Sequence, residues 1–130
     1  MKLETEDGTP ISQPSDQDIE VSLARLDGKR SSFAILNRDA MTYIQTAGTY
    51  ESGYVLEYQD KDIEHHYRAL GSVTHEEVVL AFQRYAKGDP SWKGDFEWER
   101  QEISPAVGPG CAGAAVLTFL FLAIVTMIAV

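Results

Sequence analysis

Residues 31–70 read SSFAILNRDAMTYIQTAGTYESGYVLEYQDKDIEHHYRAL, and their alternation carries the fold assignment. Successive side chains of a strand point to opposite faces, so a strand is recognised by a period of two. In SSFAILN, Phe33 and Ile35 share one face and Ala34 and Leu36 the other, as expected of a strand buried on both sides. Asn37-Arg38-Asp39 supplies turn chemistry, after which MTYIQTAG resumes the strand. Gly48 and Gly53 punctuate a loop, and YVLEYQ then sets Tyr54, Leu56 and Tyr58 against Val55 and Glu57. Asp60-Lys61 makes a short turn, and DIEHHYRAL puts Ile63, His65 and Tyr67 on one face. Four strands joined by short connections predict an antiparallel meander.

Helix signals flank this stretch. Ser15 can cap a helix, Asp16 and Asp18 suit the positive end of its dipole, and Ile19, Leu23 and Leu26 follow helical spacing, predicting a helix over about 16–27. Downstream, Thr74-His75-Glu76-Glu77 is a capping box that opens a helix with Val78, Phe82 and Tyr85 on one stripe, stopped by Gly88-Asp89-Pro90. FEWERQEI, residues 96–103, fits a fifth strand or a short helical turn. The expected fold class is α+β: a four- to five-stranded antiparallel meander sheet flanked by two helices, forming a head over residues 15–103. Residues 1–14 are polar and acidic, contain Pro10 and Pro14, and are expected to form a disordered arm.

The C-terminal part differs in kind. SPAVGPG, residues 104–110, carries two prolines and two glycines and, with Cys111, reads as a linker over 104–111. Residues 112–130, AGAAVLTFLFLAIVTMIAV, hold no charge, and ten of the nineteen are Val, Leu, Ile or Phe. As a helix they extend about 28 Å, close to a hydrocarbon core of about 30 Å, which predicts a transmembrane anchor. MKLETEDGTP lacks the apolar core of a secretory signal, so a tail-anchored arrangement is expected, single-pass with the head in the cytoplasm. Cys111 sits beside the membrane, where reversible lipidation is chemically reasonable. Gly110 and Ala114, four apart, let two anchors pack closely, so weak homo-oligomerisation is expected.

Charge restricts the partners. The chain has 20 acidic and 11 basic residues and a formal net charge of −9. Such a head repels a nucleic-acid backbone, so a protein partner with a basic surface is expected and nucleic acid is not. The single cysteine excludes an internal disulfide. His65, His66 and His75 are the only histidines, and neighbours on a strand point apart, so no metal ligand set is expected. No nucleophile elbow or phosphate-binding loop occurs, and no cofactor or catalytic residue is assigned. The alternative enzymatic reading uses His65 or His66 with Glu57 or Glu64 on a membrane-proximal substrate. A third reading is a small accessory subunit of a membrane complex. Tyr and Trp are favoured at interfaces, so the candidate partner-binding residues are Tyr43, Tyr54, Tyr58, Glu57, Glu64, His66 and Trp98.

The runs SSFAILNRDAMTYIQTAG, YVLEYQDKDIEHHYRAL and EEVVLAFQRYAKGDPSW with FEWE resemble small bacterial α+β proteins of the immunity or antitoxin type. The resemblance covers about residues 16–103 and is one of general pattern. It implies neutralisation of a toxin by binding it, and it carries no site residue with it. An apolar tail is a departure from the soluble members of that group.

Overall fold

A computed structural model describes residues 1–102; the linker 104–111 with Cys111 and the apolar segment 112–130 lie outside the described residues. Seven strands form one antiparallel sheet in the order β2-β1-β3-β4-β5-β6-β7. They are β1 (Lys2–Thr5), β2 (Ile11–Ser12), β3 (Phe33–Asp39), β4 (Thr42–Thr49), β5 (Gly53–Asp60), β6 (Asp62–Ala69) and β7 (Trp98–Arg100). Helix α1 (Asp16–Ala24) lies between β2 and β3 in the chain; α2 (His75–Ala86) and a 3-10 turn (Pro90–Asp95) lie between β6 and β7. The fold is therefore α+β, with the expected meander as its centre.

Three expectations are corrected. The sheet has seven strands rather than four or five. Residues 1–14 are not a loose arm: β1 pairs with β3 along its whole length, Leu3 is buried, and Asn37 Nδ2 donates to Glu4 Oε2 at 2.8 Å. One apolar side chain and a ladder of backbone bonds suffice to hold a segment that composition marks as polar. Asn37-Arg38-Asp39 is the end of β3, made irregular by a register shift, and the reversal falls at Ala40-Met41. The ambiguous segment 96–103 provides a strand over Trp98–Arg100, bonded to β6.

Both helices begin as their sequences dictate. Ser15 and Asp18 exchange side-chain and backbone bonds at the start of α1, and Thr74 and Glu77 do so at the start of α2. Helix α1 stops short of the expected residue 27 because Asp27 turns the chain instead. Its carboxylate accepts from the backbone N–H groups of Lys29, Arg30 and Ser31, and those bonds, that of Lys29 first, hold its pKa below the ordinary aspartate value. Removing one cap hydroxyl, Thr74→Ala, is expected to lower stability by about 1 kcal/mol in chemical denaturation, because it leaves the Glu77 N–H without its acceptor.

Alternation divides the sheet into two faces. Leu3, Ala34, Leu36, Ile44, Tyr54, Leu56 and Ala69 meet Ile19 and Leu23 of α1, Val78, Ala81, Phe82 and Tyr85 of α2, and Trp92 of the 3-10 turn in one apolar core. The second face carries Ile35, Tyr43, Gln45, Ala47, Val55, Glu57, Gln59 and His66, all buried and none a member of that core. The polar members of this second face form the first cluster with chemical content.

Candidate functional site

Antiparallel register places Tyr43 opposite Gln59 and Gln59 opposite His66, with Glu57 one step along β5 on the same face. Gln59 Nε2 donates to the Met41 carbonyl at 3.0 Å, which turns Gln59 Oε1 towards the other two. That oxygen accepts from the Tyr43 hydroxyl at 3.1 Å and lies 3.1 Å from His66 Nδ1, so Nδ1 carries a proton. The Tyr43 hydroxyl also approaches Nδ1 at 3.4 Å, and His66 Nε2 bonds directly to Glu57 Oε1. Burial, and then the Glu57 carboxylate, push the Tyr43 phenol far above its ordinary pKa. A carboxylate against a histidine is the chemistry of general acid–base catalysis. Here His66 is 1% and Glu57 3% exposed, and with Tyr43 and Gln59 they form an internal polar network.

Of the alternative catalytic set, only His66 and Glu57 come together. His65 lies at the exposed start of β6, where its Nδ1 is 2.7 Å from Asp62 Oδ1, and that bond keeps the Asp62 pKa below its usual value. Its side chain points away from that of His66, as strand alternation requires. The Glu64 side chain is exposed, and its carbonyl accepts from Arg100 Nε at 2.7 Å. Among the described residues, no group of three or more His, Cys, Asp or Glu is arranged to hold a metal ion.

The seven candidate partner-binding residues do not form one surface. Tyr43, Tyr54, Glu57 and His66 are buried. Tyr54 ties the sheet to both helices: its hydroxyl donates to the Leu23 carbonyl at 3.2 Å and lies 3.1 Å from His75 Nδ1. Burial, with smaller contributions from Tyr50 and Glu76, raises its pKa to about 12. Tyr58 and Trp98 are half-buried in an aromatic cluster. Tyr58 stacks on Tyr67 at 5.0 Å and meets the edges of Trp92 and Trp98 at 5.0 and 4.7 Å. Trp98 Nε1 donates to the Lys93 carbonyl at 2.8 Å, pinning β7 to the 3-10 turn. These residues build the domain.

The accessible surface with binding character lies elsewhere, between the outer sides of α1 and α2. The inward stripes of the two helices bury Ile19 and Leu23, and Val78, Phe82 and Tyr85. Val21 and Leu80 fall off those stripes and stand 41% and 42% exposed. With Tyr50, itself 58% exposed, they line a groove of about 960 Å³. Among the described residues, three of the four exposed large hydrophobic side chains are thereby gathered in one place. Asp16, Glu20 and Glu76 line the same groove, and among the described residues no Lys or Arg does. Lys87 Nζ binds Asp16 Oδ2 at 2.8 Å and Gln83 Nε2 donates to the Asp16 carbonyl at 3.2 Å, tying the helices together at one end. Tyr50 is held against the His75 ring, with centroids 4.4 Å apart.

Sequence reasoning missed this groove. The available signal was the pair Val21 and Leu80, apolar residues that the core stripe of each helix does not require. In comparisons with known proteins, no family model, no curated protein and no solved structure matches the chain.

Proposed function

We propose that the chain is a membrane-tethered binding module whose acidic head recognises a protein partner with a basic surface. The observation that carries this reading is the groove between α1 and α2, where exposed Val21, Tyr50 and Leu80 are accompanied by Asp16, Glu20 and Glu76. A partner segment with apolar anchors and basic flanks gains on both counts: buried apolar area supplies affinity, and charge complementarity supplies orientation and association rate. The net charge of −9 extends the same preference over the whole head. Segment 112–130 then acts as a single-pass anchor that keeps the head at the cytoplasmic membrane surface. Among the described residues no helix is long and apolar enough to cross a membrane. Neutralisation of a toxin by binding, as in proteins of the immunity or antitoxin type, fits such a module, and catalysis has no place in it.

The test is co-purification of the full chain from detergent extract of its own cells. A stoichiometric partner is expected, and Glu20→Lys combined with Leu80→Asp is expected to weaken its binding at least about thirtyfold, the effect of losing one hot spot of about 2 kcal/mol. Leu70→Ala, at an exposed leucine outside the groove, serves as control. Absence of a stoichiometric partner, or equal retention by the groove variant, overturns the reading.

A further inference from the structure

The second face of the sheet poses a question of cover. Ile35, Tyr43, Gln45, Ala47, Val55, Glu57, Gln59 and His66 are buried there. Yet α1, α2 and the 3-10 turn all send their buried side chains into the opposite face. The composition is that of neither a permanent core nor a washed surface. Phe33, Ala47 and Val55 form an apolar row across β3, β4 and β5, with Ile35 and Gln45 in the next row. Among the buried polar groups beside them are two amides, an imidazole and one carboxylate whose partner is that imidazole. At the centre, both amide atoms of the Gln45 side chain are buried without a hydrogen-bond partner among the described residues. A buried polar group left unpaired costs about 1–3 kcal/mol, so Gln45 marks a place where a contacting group belongs.

We propose that this face is the resting place of the chain's own apolar segment, residues 112–130, whenever no membrane holds it. The lengths agree: nineteen residues of helix extend about 28 Å, and an eight-residue strand about 26 Å. The path is short. Gln101 N still donates to the His66 carbonyl at 2.8 Å, so the chain stays bonded to β6 up to the last described residues. The nine residues 103–111 can cover about 30 Å, whereas β5 lies about 10 Å from β7, two strand spacings away. The chemistry agrees as well. The segment brings no charge to bury, and Thr118 and Thr126 are its only side chains able to hydrogen-bond Gln45. When the segment enters a bilayer it leaves behind a face whose amides, phenol, imidazole and carboxylate tolerate water. Docked and inserted forms therefore exchange one apolar environment for another.

The experiment is disulfide cross-linking in the full chain, in a Cys111→Ser background. Cysteines at Ala47 or Val55 are each paired with one at Leu117, Leu120 or Ile124; Leu80→Cys, beyond the opposite face, is the control partner. In lipid-free solution, at least one second-face pair is expected to form the intramolecular disulfide at least about tenfold faster than the control, because docking raises the local concentration of one cysteine at the other. Near-ultraviolet circular dichroism of the aromatic cluster confirms that each variant is folded, and the several pairs guard against one failing. Cross-linking no faster than the control across all folded pairs overturns the proposal. Phosphatidylcholine–phosphatidylglycerol vesicles are then added. Loss of the cross-link supports exchange between sheet and bilayer. Persistence at full rate leaves docking intact and removes the anchor role, so the two ideas fail separately.

Discussion

Glu57→Ala is expected to lower the free energy of unfolding by about 3 kcal/mol, because it leaves a buried ring nitrogen unpaired and a cavity beside it. The carboxylate is 3% exposed and bonds to the ring nitrogen of a histidine that is 1% exposed. Alanine deletes the acceptor and leaves His66 Nε2 facing a hole, while Gln59 still occupies Nδ1. The double variant Glu57→Met with His66→Leu should recover most of the loss, since replacing both partners by apolar groups of similar size is often nearly neutral. Chemical denaturation of the two single variants and the double variant gives the coupling directly. A cost below about 1 kcal/mol for Glu57→Ala would show that water reaches the pair, against the closed geometry described above. Near-equal losses for Glu57→Ala and Glu57→Gln would show that an amide cannot replace the carboxylate at Nε2.

Gly48→Ala is expected to cost at least about 3 kcal/mol, from a backbone clash and an unfavourable φ acting together. Gly48 lies in β4 with φ of +135°, and a Cβ added there would stand 2.2 Å from the Gly53 carbonyl oxygen and 2.8 Å from Tyr54 Cα. Both obstacles are backbone atoms of the neighbouring strand, held by the β4–β5 ladder, so neither can swing aside. The comparison is Gly71→Ala. Its φ is +77° but no atom lies within 4 Å of the added carbon, so its cost should stay near 1 kcal/mol. Thermal and denaturant unfolding of the two variants separates the conformational penalty from the clash. Equal costs would mean that the β4–β5 ladder gives way.

The parts of the fold that sequence reasoning recovered are those whose information is local. The period of two in residues 33–69 and the Thr74–Glu77 box each concern neighbours within a few residues, and the meander and α2 follow from them. Strand β1 escaped notice because its information is not local. KLET offers one apolar residue, and only the distant β3 makes an extended strand of it. The candidate site fared worse for a different reason. Tyr43, Glu57 and His66 are amphipathic or ionisable, and alternation says which face they share but not whether that face meets water. Their mutual hydrogen bonds, which make burial tolerable, arise from cross-strand register. The groove required knowing which sides of two helices far apart in sequence lie together; Val21 and Leu80 are unremarkable until α1 and α2 are side by side.

The two ends of the sheet bear on how this protein behaves in a crowd. A sheet grows by offering unpaired backbone N–H and C=O groups to another chain, and long, flat, apolar borders are where fibres begin. Here the outermost strands are β2, of two residues, and β7, of three, the latter carrying Glu99 and Arg100. Neither presents enough continuous backbone to template a foreign strand. Among the described residues, then, the two end strands give copies of the head at high local density little backbone on which to extend the sheet.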